Sequence, residues 1–299
     1  MANITAATVK DLRDKTGAGM MDCKAALTET GGDMEAAVDW LRAKGLAKAA
    51  KKAGRVAAEG LIGLAADPRQ AALVEVNSET DFVARNATFQ DMASAIAKTA
   101  IGAKGDLDKL MNAKFPGGEA SVADTIKEMV GTIGENMTLR RTAFLSVKDG
   151  AVASYMHNTM APGLGKIGVI VALESKGDAA KLAAFGKQLA MHIAAANPQA
   201  VDVESLDKDV IARERAVLTE QAKESGKPAP VIEKMVDGRL RKFYEDVVLL
   251  AQAFVHDPET KVANAVTDAE KAAGAPIKIT GFYRFALGEG IERGDDEAA

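Results

Sequence analysis

EVNSETDFVARN, residues 75–86, is the stretch in which the hydrophobic period of this chain changes. Upstream, LIGLAAD (61–67) and AALVEV (71–76) are strand-like runs joined by the turn signal Asp67-Pro68-Arg69-Gln70. Downstream, Phe89, Met92, Ala93, Ile96, Ala97 and Ala100 recur at helical spacing until Gly102 and Gly105 close the run. The strand is expected to end near Asn77 and the helix to begin around Ala87. Between them stand Glu79, Asp81 and Phe82, acids and an aromatic together. Two readings are open at this point. Phe82 turns inward while Asp81 caps a turn, or Phe82 projects as an exposed wedge.

On the N-terminal side, residues 1–45 read as three short helices. Thr5 and Thr8 are candidate caps of the first, which carries Val9, Leu12 and the Arg13 stem. The glycines of Thr16-Gly17-Ala18-Gly19 free the backbone before a second helix, with Met21, Ala25 and Leu27 expected inward. Gly31-Gly32 breaks it. Asp33 caps a third helix carrying Met34, Ala37, Val38 and Leu41, and Gly45 is the expected stop. Trp40 is the expected core anchor, and an Ala/Lys linker completes a module spanning 1–54. Such a unit is small for independent stability and suits the presentation of a surface.

On the C-terminal side, a helix is expected through Val122, Ile126, Met129, Val130 and Ile133. TAFLSV (142–147) and AVASYM (151–156) flank Lys148-Asp149-Gly150, a hairpin signal. A glycine- and proline-rich loop at 158–166 precedes the strand IGVIVALES and a helix from Ala179 to Ala196. Sliding the chain by 96 places Leu73-Val74-Glu75-Val76 on Val169-Ile170-Val171-Ala172 and Phe89 on Phe185. The pattern suggests two related α+β halves, each a small antiparallel sheet with helices on one face. Val203, Val210 and Val217 lie seven apart, as do Ile211 and Leu218. After Ser225-Gly226-Lys227-Pro228, a stripe follows at Ile232, Val236, Leu240, Phe243 and Val247. That pattern predicts an inserted antiparallel coiled-coil hairpin. The expected divisions are 1–54 for the helical module, 55–140 for the first half, 141–202 and 247–285 for the second, 203–246 for the hairpin, and 286–299 for a polar, acidic tail.

Composition narrows the chemistry. The chain is 47% hydrophobic and 27% charged, which fits a globular protein. No apolar run approaches the roughly 20 residues of a membrane helix. The start lacks signal-peptide character, and the single cysteine, Cys23, cannot form an internal disulfide, so a cytoplasmic location is expected. The net charge of −4, with aromatics at only 4%, argues against nucleic acid as a direct partner. The one dense basic stretch, Lys48, Lys51, Lys52 and Arg55, reads as a solvated linker face. His157, His192 and His256 lack metal-ligand spacing, and no nucleophile, zinc or phosphate-loop motif occurs. Cys23 reads as a small packed residue and His192 as a partly buried, hydrogen-bonded one. No cofactor, metal or covalent chemistry is expected.

Six segments, in order, resemble one family. They are LRDKTGAGMMDCKAAL (12–27), KAAKKAGRVAAEG (48–60), EVNSETDFVARN (75–86), SGKP (225–228), EKMVDGR (233–239) and ITGFYRFALGEGIE (279–292). The family is bacterial translation elongation factor Ts, and the resemblance spans nearly the whole chain. It implies a ubiquitin-associated-like N-terminal module and a non-enzymatic factor that binds GDP-bound elongation factor Tu and speeds guanine nucleotide exchange. By that resemblance Asp81 and Phe82 form the wedge beside the nucleotide site, framed by Thr80 and Val83. Arg13, Met20, Met21 and Lys52 match positions in or beside the contact surface of the N-terminal module. His157 lies near a family histidine position, although the loop after it departs from the pattern. Self-association through the core or the arm is compatible with the same resemblance. Other classes kept in view are a binding scaffold using module and arm, a small-molecule enzyme in a cleft between the halves, and an RNA binder using the basic stretch.

Overall fold

The computed structural model describes residues 4–292, apart from the side chains of Leu46 and Lys48. Residues 1–3 and 293–299, the latter half of the expected acidic tail, lie outside the described residues, as does the Lys48 member of the basic stretch. In chain order the elements are α1 (Ala6–Thr16), α2 (Met20–Glu29), α3 (Met34–Lys52), β1 (Glu59–Asp67), β2 (Gln70–Ser78), α4 (Asp81–Ala84), α5 (Ala87–Ala103), α6 (Leu107–Asn112) and α7 (Val122–Ile133). They continue with β3 (Met137–Ser146), β4 (Gly150–His157), β5 (Leu164–Gly165), β6 (Ile167–Glu174), α8 (Ala179–Ala196), α9 (Lys208–Lys223) and α10 (Ala229–Val247). The last are β7 (Ala253–Phe254), β8 (Asp257–Lys261), α11 (Val262–Ala273) and β9 (Lys278–Ala286). The class is α+β, as expected.

Strand alternation sorts the core into layers. On β2, Ala72, Val74 and Val76 face α5, α6 and α7, while Ala71 and Leu73 face the other way. On β6, Val169, Val171 and Leu173 face α8 and α11, while Ile170 and Ala172 face the other way. The two inner faces meet. The sheet β3-β2-β1-β5 therefore stacks on the sheet β4-β6-β9, with helices covering each outer face.

The layering corrects two expectations. Lys148-Asp149-Gly150 does not close a hairpin. β3 pairs with β2, with Leu73 opposite Ala143, and β4 pairs with β6, with Val152 opposite Ala172. The turn instead carries the chain from one sheet to the other. Turn chemistry reverses a chain but leaves open which neighbour each strand takes, and here burial of Ala143 and Val152 between the sheets decides it. The offset of 96 fails in the strands for a related reason. It places Leu73, which faces the inter-sheet layer, on Val169, which faces the helices. A one-residue slip inverts every side chain of a strand. The same offset does hold for Phe89 and Phe185, which are both core residues of the following helices. β3 also runs unbroken through the expected division at 140/141.

Glu75 shares the inward face of Leu73 and is fully buried. Its carboxylate accepts from Arg141 Nε at 2.5 Å, from Arg140 Nη1 at 3.2 Å, from Asn77 Nδ2 at 3.1 Å and from the Gly288 N–H at 2.8 Å. Arg140 also donates to the Glu289 carbonyl, and Arg141 to that of Ala286. One buried carboxylate thus fastens the chain after β9 to the strand that leads into residues 79–83.

In the N-terminal module Leu12, Cys23, Ala26, Leu27 and Ala37 form the core. Thr5 caps α1 and Thr8 completes the reciprocal capping box, while Asp33 caps α3 through the Ala36 N–H. Cys23 is packed, as expected. Met21 is not inward, because the α2 face that meets α1 and α3 carries Cys23, Ala26 and Leu27. Trp40 is half-buried at the edge of this core, with Lys44 Nζ 4.4 Å from its ring centre. Gly45 does not end α3, which runs on to Lys52. It faces Gly131 of α7 so closely that a Cβ on Gly131 would lie 2.7 Å from the Gly45 Cα. The glycine is a backbone crossing point, where lack of a side chain offsets its weak helix propensity.

α9 and α10 form the hairpin arm, joined through 224–228. Its seam is Leu218, Ala222, Val236 and Leu240, flanked by Ile211 and Ile232. The Ile211/Leu218 series is therefore the inward one. Val217 is 46% exposed and Val203 precedes α9. The arm returns to the core where Gln199 donates to Val247 and Leu249 to Ala200. Beneath that root lies His192, fully buried where partial burial is expected. Nδ1 accepts from the Val255 N–H at 3.2 Å, so Nε2 carries the proton and donates to Gln252 Oε1 at 2.9 Å. Burial holds its pKa below the ordinary value; the Gln252 hydrogen bond opposes that shift and the nearby His256 adds to it.

Two measurements check these contacts. Glu75→Ala is expected to remove about 3 kcal/mol of stability, because it strands two partly buried arginines. That appears as a lower urea midpoint, whereas Glu220→Ala, which removes an exposed ion pair, leaves the midpoint in place. For His192, the unfolded chain takes up a proton near pH 6.5 that the folded protein refuses, so stability is full above about 6.5 and falls as pH drops below it. Urea titrations from pH 8 to 5 should show this loss in the wild type and a smaller one in His192→Gln.

Candidate functional site

The segment between β2 and α5 contains one helical turn that periodicity misses, because four residues are too few to show a period. Thr80 is extended, at φ −123° and ψ 159°, and α4 follows at once. Val83, at 4% exposure, and Ala84 turn into the core beneath β1, beside Phe89. Phe82 points the other way and is 75% exposed. The inward reading of Phe82 is thereby excluded: Val83 takes the buried place. Asp81 does not cap the turn. Its carboxylate pairs with Arg85 at 2.8 Å on the surface, a contact worth little in stability. Asn86 caps α5 by accepting from the Thr88 and Phe89 N–H groups.

What fixes this turn lies far away in sequence. The Glu135 carboxylate accepts from the Thr80 N–H at 2.9 Å and from its hydroxyl at 2.7 Å. In the other direction, Glu79 Oε1 accepts from the Asn136 N–H at 2.5 Å. Ser78 Oγ donates to the Thr80 carbonyl at 3.0 Å. The Gly134–Asn136 turn also receives the linker after α3. Lys52 Nζ donates to the Gly134 carbonyl, and Asn136 Nδ2 donates to the Arg55 carbonyl at 2.7 Å. Arg55 Nη1 lies 3.4 Å from Glu79 Oε2. Lys52 is thus turned inward, against the expectation of a solvated face, while the Arg55 side chain stays exposed and pairs with Glu79.

The remaining expected residues are dispersed. Arg13 is exposed on α1, while Met20 and Met21, at 54% and 75% exposure, open α2 on the surface of the helical module. Lys52 is half-buried with its ammonium turned to α7. His157 ends β4 in the second sheet, exposed, with Nδ1 3.1 Å from the Tyr155 hydroxyl. Sequence reading missed Glu135 and Asn136. Their only local signal is an acid after the helix-ending Gly134, and nothing there names a partner 55 residues away. Among the described residues no group of three or more His, Cys, Asp or Glu side chains is placed to hold a metal ion, and no helix is long and apolar enough to cross a membrane.

A family model described as elongation factor TS matches residues 79–289, a span that begins at this loop. Curated relatives named elongation factor Ts align over the length of the chain. The one from Parvibaculum lavamentivorans is 64% identical, covering 100% of this chain and 97% of the relative. The one from Rhodospirillum centenum is 60% identical over the same shares. That of Bartonella henselae is 60% identical over 99% of this chain and 97% of the relative. Likeness at that level places the chain among translation elongation factors. It belongs to the elongation factor Ts family.

The opposed burial of neighbours at the tip gives a stability contrast. Phe82→Ala should shift unfolding free energy by less than about 0.5 kcal/mol, as for an ordinary surface substitution. Val83→Ala should cost about 2 kcal/mol through lost burial and a small cavity. Urea unfolding of the two variants measures both.

Proposed function

We propose that this chain is a guanine nucleotide exchange factor for elongation factor Tu, binding its GDP-bound form and promoting GDP release so that GTP can load. The observation that carries the proposal is Phe82. It is a large aromatic held out in solvent on a turn whose next two residues are buried, inside the segment that the family model matches. Aromatic anchors of this kind dominate binding energy at protein interfaces. Met20 and Met21 offer a second exposed apolar surface on the helical module, and Arg13 is an exposed basic residue of the same module. Lys52 serves that module from within, by holding α3 to α7. His157 is proposed as a further contact on the second half.

The mechanism is differential binding. GDP is held in such a GTPase largely through its phosphates and a Mg²⁺ ion that requires near-ideal octahedral geometry. Insertion of the Phe82 ring beside that end of the site displaces its surroundings. The Asp81 carboxylate brings negative charge toward the phosphates and disturbs the water network. Neither side chain makes or breaks a covalent bond. By linkage, factor and nucleotide each weaken the other's hold on the GTPase by the same ratio, so GTP loading expels the factor.

The test is stopped-flow release of fluorescent GDP from the cognate elongation factor Tu. The wild type should accelerate release. Asp81→Ala/Phe82→Ala should slow the accelerated rate by about 30-fold, the loss expected for truncating an interface hot spot. Unchanged acceleration by the double variant would sink the assigned role of the tip.

A further inference from the structure

We infer that Glu135 is a positioning residue for the exchange tip, acting through Thr80 to hold Asp81 and Phe82 in the pose that works. The inference rests on the exchange reading above and assigns a role to a half-buried residue outside the tip.

A four-residue helix cannot hold its own shape. Nucleating a turn costs more than its few hydrogen bonds return. The residue at the cap position, Thr80, gives α4 no side-chain cap. The tip is held from outside at both ends. On one side Val83 and Ala84 are buried in the first core. On the other, both oxygens of Glu135 take both donors of Thr80. Asp81 and Phe82 lie between these anchors. Without Glu135, Thr80 keeps only the Ser78 Oγ hydrogen bond to its carbonyl, and the turn can pivot on the buried Val83 and Ala84. Residues span at most about 3.6 Å each, so a rotation at Thr80 carries the Phe82 ring by ångströms.

The grip is reciprocal. Glu135 accepts from the backbone of Thr80, and Glu79 accepts from the backbone of Asn136. Two neighbouring carboxylates are thereby committed in opposite directions, which fixes the register of the two segments. Lys52 and Arg55 close the same turn from the end of α3. The helix that carries the N-terminal module therefore ends on the turn that sets the tip.

The test compares Glu135→Ala with Glu135→Gln. The amide can still accept from the Thr80 N–H and can donate to its hydroxyl, so Gln should restore what Ala removes. In Glu135→Ala, amide hydrogen exchange read by mass spectrometry should rise in the peptide covering 79–86 and stay unchanged in peptides from β6 and α8. The thermal midpoint should remain within about 3 °C of the wild type. In nucleotide release, the maximal rate should fall about tenfold while the elongation factor Tu concentration giving half-maximal acceleration stays unchanged, because misplacing a group costs rate rather than encounter. Wild-type exchange in the 79–86 peptide, or a wild-type maximal rate, would overturn the inference. So would a change confined to the half-maximal concentration, which would make Glu135 a contact residue, or an equal loss in Glu135→Gln. Phe82→Ala runs alongside. If it accelerates GDP release like the wild type, the reading of the tip fails, and the hydrogen-exchange comparison still decides whether Glu135 holds it.

Discussion

The stacking of two sheets by their inner faces is the constraint on which the rest of this protein depends. Ile62, Leu73, Ile170 and Phe285 are buried between the sheets. Burying one face of each sheet leaves the other apolar face to be covered, and α5 to α7 on one side and α8 with α11 on the other do so. The central strands are consequently buried on both faces and read as nearly continuous apolar runs. The fully buried charge of the inner layer, Glu75, is matched by two arginines and a backbone N–H. Such a pair is weak evidence of net stabilisation, since desolvation offsets much of the attraction. Its effect is specificity: the chain after β9 has one place to go, against the strand that leads into the tip.

From that base the exposed tip follows by a sequence of anchors. β2 is immobilised on both faces, so Ser78 and Glu79 leave it from a fixed point. Val83 re-enters the core four residues after Glu79. The intervening residues must bulge outward, and Glu135 decides the shape of the bulge. An aromatic left in water is unfavourable for folding. It persists here because the neighbours on both sides are over-determined, which is how a preorganised contact is built.

The helical module and the arm are attached by different physics. α3 reaches the core through a backbone crossing at Gly45 and Gly131 and an ion pair between Arg42 and Glu128 at 2.9 Å. Its attachment combines close approach and polar contacts with the burial of Ala49 in the first core. The arm root is fastened by backbone hydrogen bonds between 199–201 and 247–250 over a buried histidine. The first attachment ends on the turn that holds the tip, and the second sits behind the other sheet.

The residues alone determined the α+β class, the strand-to-helix change across 75–86, the caps Thr5 and Asp33, and the packed state of Cys23 and His192, because each rests on local spacing or on the chemistry of a single side chain. They also determined the family, because six ordered segments carry more information than any one motif. The tertiary structure alone decided the rest. The Asp149-Gly150 turn could not say that its strands belong to different sheets, since pairing depends on which faces find burial. The offset of 96 could not register the strands, since one residue inverts a face. Gly45 could not reveal itself as a crossing point without Gly131, and Phe82 could not be turned outward without the burial of Val83. Glu135 is the clearest case: its two hydrogen bonds to Thr80 join positions 55 apart, and such a contact exists only once the sheet has brought them together.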